Sequence, residues 1–367
     1  MMARKNSHPQ RRFHGTGPVN TGGEIMVRFA SRSGTRLRAL PGIAAGILFA
    51  AFAASPLPAA AQSADSFPTR PIKVLVPYAP GGATDIIARI VAAKLTESLG
   101  QSVLVENRPG ASGNLALEAV AKAPADGYTL FVGNVSTNTI NENTFASQLQ
   151  IKPSRDLVGI AKLVEIPHII ATTAAFPANS VADLIALAKK DPGKINYASA
   201  GLGSYPHLDM EKLMKTAGIQ MTHIPYKGGA GQMIPAIISG EAPVAFLNLS
   251  SALPHVRSGR MKAIATTAPG RLAELPNVPT MAEQGFPGIG TNAWQGMFAP
   301  AATPKPIIDK IYQSVAAVLS NPEMKEQLAK QMLDVTLSPS PAQFQQLVEK
   351  ETRAWGDFLR EAKIKIE

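Results

Sequence analysis

Residues 72–76, Ile-Lys-Val-Leu-Val, form a mostly apolar run that stops at Pro77. Apolar residues return at Ile86, Ile87, Ile90, Val91 and Leu95, three to four positions apart. The first pattern predicts a strand and the second a helix. Between them lies Pro77-Tyr78-Ala79-Pro80-Gly81-Gly82-Ala83-Thr84-Asp85. A helix that starts on such a loop presents free backbone N–H groups and the positive end of its dipole. Gly81 and Gly82 lack a Cβ, so a ligand can approach the backbone closely. The loop is therefore a cradle for an anion, carboxylate or phosphate.

Strand-like runs recur at 103–106, 129–133, 195–198, 221–225, 244–248 and 262–266. Helical stretches are expected at 113–122, after the capping residue Ser180, and at 306–319, 322–332 and 341–363. Gly100 follows Leu99 where a helix C′ residue belongs. This alternation predicts an α/β protein with mostly parallel sheets. Residues 269–287 are rich in Pro and Gly and lose periodicity, as a segment crossing between domains would. The last helix is amphipathic and is expected to pack across the first domain.

Length and composition, 367 residues with 45% hydrophobic and 17% charged, fit a globular chain of two domains. The net charge of +10 is mostly local. Residues 1–61 carry eight Lys or Arg against Glu24 alone. The remainder shows no basic stripe with interleaved aromatics, so nucleic acid is not an expected partner. Arg28, Arg32, Arg36 and Arg38 form a basic n-region, and residues 43–54 an apolar h-region too short to span a bilayer. Ala59-Ala60-Ala61 supplies small residues for cleavage before Gln62. Residues 26–61 thus read as a cleavable signal peptide and residues 1–25 as an upstream extension, which places the mature chain in the periplasm. The chain has no cysteine, which excludes thiol catalysis, thiolate metal sites and disulfides.

In doubly wound sheets, ligands bind at the carboxyl ends of strands. Four loops stand there: Tyr78 to Asp85, Asn134 to Asn138, Ser199 to His207, and Tyr226 to Ala230. They are rich in Gly, hydroxyl and amide groups, and Asp85 is their only acid. Donors without a paired general base suit holding a carboxylate better than transforming it. Each loop also has a plainer reading, as a packing turn or a helix cap through Thr84, Asp85, Ser199 or Ser204. His207 and Glu211 stand four apart, a pair that by itself makes a helix contact rather than a metal site. Gly201-Leu202-Gly203-Ser204 is no nucleophile elbow, and Pro206 occupies the third position of G-x-G-x-x-G. No cofactor, metal or catalytic residue is expected.

The chain resembles the substrate-binding receptors of tripartite tricarboxylate transporters, the Bug-type extracytoplasmic receptors. The resemblance covers residues 67–367. It is carried by Phe67-Pro68-x-Arg70-Pro71-Ile72, the Pro77 to Asp85 loop, Glu106-Asn107-Arg108-Pro109-Gly110-Ala111-x-Gly113 and Ala125-Asp126-Gly127-Tyr128. Tyr197-Ala198-Ser199-Ala200-Gly201-x-Gly203-Ser204, Pro225-Tyr226-Lys227-Gly228 and Val278-Pro279-Thr280-x-Ala282-Glu283-x-Gly285 add to it. The resemblance implies a two-domain, type II periplasmic-binding-protein fold with the ligand cleft between the domains. Residues 67–166 with 289–367 would form domain 1, and residues 167–288 domain 2. It implies capture of a small organic carboxylate and delivery to the membrane subunits of the transporter, by a monomer. A ligand-sensing role shares the same cleft, and an exported enzyme acting on a carboxylate is the remaining alternative. Carried over, the ligand-binding residues are Tyr78, Gly81, Gly82, Thr84, Asp85, Ser136, Asn138, Ser199, Ala200, Gly203, Ser204 and Tyr226. Asp85 is expected to orient its loop or cap its helix, because an acid repels an anion. Many relatives have Phe-Asp-Asn where this chain has Phe246-Leu247-Asn248, so Leu247 is expected to bias the cleft against a ligand amine.

Overall fold

The computed structural model describes residues 66–291 and 293–362. The signal peptide and cleavage point read from the sequence lie outside them. The strands are β1 (Ile72–Val76), β2 (Val103–Asn107), β3 (Thr129–Asn134), β4 (Leu157–Ile166), β5 (His168–Thr173), β6 (Asn196–Ser199), β7 (Thr222–Pro225), β8 (Val244–Asn248), β9 (Met261–Thr266), β10 (Ala293–Pro300) and β11 (Asp334–Val335). They form two sheets, ordered β11-β4-β10-β3-β1-β2 and β7-β6-β8-β5-β9. Each sheet is the centre of a lobe.

Both sheets are mixed, which corrects the expectation of mostly parallel pairing. β10 enters between β3 and β4 and runs antiparallel to both. β5 runs antiparallel to β8 and β9. The antiparallel strands sit at the two crossings between lobes: β10 returns into a sheet whose β3 and β4 precede it in the chain, whereas β5 opens the second sheet and β8 and β9 pair with it later. β4 and β10 escaped the sequence pattern. β10 is buried along its whole length but is punctuated by Gln295, Gly296 and Pro300. β4 carries Gly159, Lys162 and Glu165 among its apolar residues.

The first lobe's core joins Val74 and Val76 of β1, Ile87, Val91 and Leu95 of the helix Ala83–Leu99, and Ile311 and Val315 of the helix Lys305–Ser320. The second joins Ile170, Leu184, Tyr197, Leu213, Phe246 and Ile264. The helix Pro341–Ala362 lies on the first lobe, as its amphipathic pattern anticipates. Its Phe344 sits edge-on to Trp294 with centroids 5.5 Å apart and contacts Phe298 at 5.1 Å. Each such aromatic burial contributes a few kcal/mol.

The first crossing is the single residue Pro167, between β4 and β5. The second includes residues 267–291. The two are tied where they pass: His168 N–H donates to Thr267 Oγ1 at 3.0 Å, and Thr267 N–H donates to His168 O at 2.9 Å. Asp209 adds a second tie by accepting Thr291 N–H at 2.9 Å and Thr291 Oγ1–H at 2.7 Å.

Candidate functional site

Four helices start at the cleft between the lobes: Ala83–Leu99, Tyr205–Ala217, Ala230–Ser239 and Leu249–Arg257. Their N-terminal flanking residues are Gly82, Ser204, Gly229 and Asn248, and none caps its helix with a side-chain hydrogen bond. Three of those flanks, Gly82, Gly229 and Asn248, line a cavity of about 30 Å³, with Tyr205 and Pro206 from the fourth helix. Thr84, Asn134, Phe246 and Leu247 also line it, and none of its lining residues is charged. Each helix start carries roughly half a positive charge. The cleft is therefore electropositive through backbone dipoles rather than through Lys or Arg. A cavity this size holds about one or two waters, so the lobes must part to admit a larger molecule.

On the first lobe, Tyr78, Gly82 and Thr84 line the cavity as expected. Tyr78 donates weakly to Asn134 Oδ1 at 3.4 Å, and burial pushes its phenol up to about 12, so it stays protonated. Thr84 Oγ1–H donates to Gln295 Oε1 at 2.7 Å. Gly81 stands outside the lining, at φ +89°, and its N–H donates to Asp85 Oδ2 at 2.9 Å. Asp85 is buried below the loop and also accepts from Arg89 Nε and Asn107 Nδ2, each at 2.9 Å. Burial alone raises its carboxyl, but the hydrogen bonds from Arg89, Gly81 and Asn107 outweigh it and hold the pKa below the ordinary value. Asp85 therefore braces the loop. Asp85→Asn should cost about 2 kcal/mol, since it leaves charged and polar donors mismatched. Urea unfolding would measure it, and an unchanged midpoint would contradict the bracing role.

Ser136 begins a wide π-helical turn, Ser136–Ile140, a device often found at functional sites. It does not line the cavity. Its Oγ accepts Tyr205 N–H from the other lobe at 3.0 Å, so it joins the lobes. Asn138 is buried behind it and accepts Thr137 Oγ1–H at 2.8 Å.

On the second lobe, Ala200 lines the cavity, while Ser199, Gly203, Ser204 and Tyr226 stand behind the lining. Ser199 Oγ accepts Gly201 N–H at 3.1 Å and lies 2.6 Å from His223 Nε2. Gly203 N–H donates to His207 Nδ1 at 3.2 Å, and Ser204 Oγ–H donates to Gly201 O at 2.7 Å. Tyr226 N–H donates to Ser199 O at 2.9 Å. These groups shape the loop. The His207 and His223 rings lie against each other with centroids 4.2 Å apart and planes tilted by 30°. Burial pulls His207 down to about 3, helped by His223, and pulls His223 down to about 4. His207 Nε2 reaches Glu211 Oε1 at 3.7 Å. Among the described residues no group of three His, Cys, Asp or Glu is arranged to hold a metal ion.

Ala83, Asn134, Tyr205 and Gly229 lie within the four candidate loops although none is among the ligand-binding residues carried over, and Met233, Phe246 and Asn248 lie outside those loops altogether. A signal was available for Phe246 and Asn248, which end a strand as Leu247 does. Met233 carried none, since it looks like any core residue of an apolar helix.

The tripartite tricarboxylate transporter family receptor model matches residues 87–364. The chain belongs to this family. BugT of Bordetella pertussis is 34% identical over 332 residues, 90% of this chain and 99% of that protein. Rpa4515 of R. palustris, solved with adipate, superposes with a TM-score of 0.77 at 34% identity, covering 81% of this chain and 99% of that one. MatC of Rhodopseudomonas palustris, solved with bound malate, gives 0.75 at 33% identity, covering 79% and 99%. The fold is that of the two-domain periplasmic binding proteins, and the family is one of solute receptors. Among the described residues no helix is long and apolar enough to cross a membrane.

Proposed function

We propose that this receptor works in the periplasm, closes its two lobes on a small organic carboxylate, and presents it to the membrane subunits of a tripartite tricarboxylate-type transporter. The observation that carries the reading is the uncharged cavity ringed by four helix starts. Fixed N–H groups and dipoles hold a carboxylate without a counter-charge that would have to be stripped of water. Adipate in Rpa4515 and malate in MatC fit the same class. The lobes correspond to residues 67–166 with 289–367 and residues 167–288, and the protein acts as a monomer.

The reading is of binding without turnover. Ser199, the hydroxyl closest to a histidine in the site, has its oxygen engaged by Gly201 N–H and His223 and braces its own loop. Mature protein should therefore gain thermal stability in a saturable way with one or more di- or tricarboxylates, by several degrees at excess ligand. A thermal-shift screen across carboxylates, amino acids and sugars tests this. Stabilisation by sugars alone would overturn it.

A further inference from the structure

Asn248 ends β8 and pairs in register with His168, the first residue of β5. Its Oδ1 lies 2.6 Å from His168 Nε2 and accepts the Tyr205 hydroxyl at 3.1 Å. The His168 ring is fully buried and stacks on Tyr205, with centroids 4.5 Å apart and planes 6° from parallel. His168 Nδ1 is buried without a hydrogen-bond partner. That lone fact selects the tautomer. If Nδ1 carried the proton, a buried N–H would stand unpaired, which proteins tolerate less well than an unused acceptor lone pair. The proton therefore sits on Nε2 and is donated to Asn248. The amide oxygen must then face His168 and Tyr205, and the NH2 must face the other way. Asn248 lines the cavity, and none of its described hydrogen bonds uses Nδ2.

We propose that Asn248 is a specificity-determining donor: His168 and Tyr205 lock its amide so that Nδ2–H2 points into the cleft and requires an acceptor oxygen from the ligand. Leu247, Phe246 and Met233 stand beside it on the same cavity wall. The ligand class that satisfies both is an aliphatic dicarboxylate with an unsubstituted chain against the apolar wall. An α-amino dicarboxylate of equal length would bring an ammonium to a donor and an apolar surface, and a polar group left unpaired in such a site is strongly rejected. The inference rests on the reading that the cleft takes a carboxylate.

Three length-matched pairs test it by calorimetric titration: succinate and aspartate, glutarate and glutamate, adipate and 2-aminoadipate. In at least one pair the plain acid should bind, and in every pair with measurable binding it should bind about 30-fold or more tighter than its amino partner. Asn248→Asp keeps the shape and still accepts from His168 and Tyr205, but turns a carboxylate oxygen into the cleft. It should lower the plain acid's affinity about 30-fold or more and narrow or invert the preference. His168→Phe keeps the stack on Tyr205 and removes the Nε2–H donor. It should shrink the preference ratio, whereas a purely structural role would shift both affinities alike. Equal binding of the paired acids by the native protein, or an unchanged ratio in Asn248→Asp, would overturn the proposal while leaving the carboxylate reading intact. Binding of no carboxylate by native protein would overturn both.

Discussion

Gly231→Val should abolish tight ligand binding while leaving the protein folded. A Cβ on Gly231 would lie 2.5 Å from the Pro80 carbonyl oxygen and 3.3 Å from the Ala79 Cβ. Those atoms belong to the opposite lobe, and backbone cannot give way as a flexible side chain can. The residue lies in the first turn of the helix Ala230–Ser239 without a positive φ, so its own lobe accepts a side chain. The clash therefore acts on the closed state alone. Beside it, Ala79 N–H donates to Gly228 O at 3.0 Å across the cleft, a contact that closure makes and the substitution breaks. Tight binding needs the closed arrangement to be populated, and excluding it lowers apparent affinity by the lost population. A fall of about 100-fold or more is expected, measured by titration with a carboxylate that stabilises the native protein. Gly81→Ala is the contrast. Nothing lies within 4 Å of a Cβ there, but φ is +89°, so the cost is backbone strain of about 1–2 kcal/mol in stability. Native affinity in Gly231→Val would remove lobe closure from the account.

The second large effect is acid destabilisation. His168 and His207 are buried, and burial pulls them down to about 4 and about 3. A histidine near its ordinary value of about 6.5 in the unfolded chain binds a proton as pH falls below 6.5, while the folded protein does not. Protons then favour the unfolded state, so the stability present above pH 6.5 is lost as pH falls toward 4. Between pH 7 and pH 5 each of these two histidines removes about 2 kcal/mol. Asp209 opposes them. Burial raises it to about 6, so the folded state takes up its proton first and gains about 1 kcal/mol over the same interval. His223, half-buried and pulled down to about 4, acts in the same direction as His168 and His207, so the net loss is at least about 3 kcal/mol, a large share of a typical domain's stability. Urea unfolding at pH 7 and pH 5 measures it. His207→Gln should remove about 2 kcal/mol of the difference between the two pH values, whatever it costs at pH 7. A native protein equally stable at both would contradict the buried, neutral histidines.

How far the sequence carried depended on the range of the interaction. β1 and β8 were legible to their end residues, because an apolar run bounded by a turn or helix start is a local signal. The anion-cradle reading of the Tyr78 to Asp85 loop needed only a strand, glycines and a helix start in order. Which of its residues line the cavity did not follow. Gly81 and Asp85 are spent on each other, and that depends on Arg89 and on Asn107, 22 residues away from Asp85. His168 and Asn248 are 80 residues apart, and nothing local marks either as the other's partner. The close approach of Gly231 to Pro80 is likewise a property of two lobes brought together. The expectation that Leu247 shapes the cleft came from the resemblance rather than from any local pattern, and Leu247 does line the cavity.

Calorimetric titration of the mature protein with its best-stabilising carboxylate, followed by recovery of that carboxylate for mass spectrometry, tests the central claim most directly. The account predicts one ligand per chain and a ligand returned unchanged. A chemically altered ligand, or no carboxylate bound at all, would contradict it.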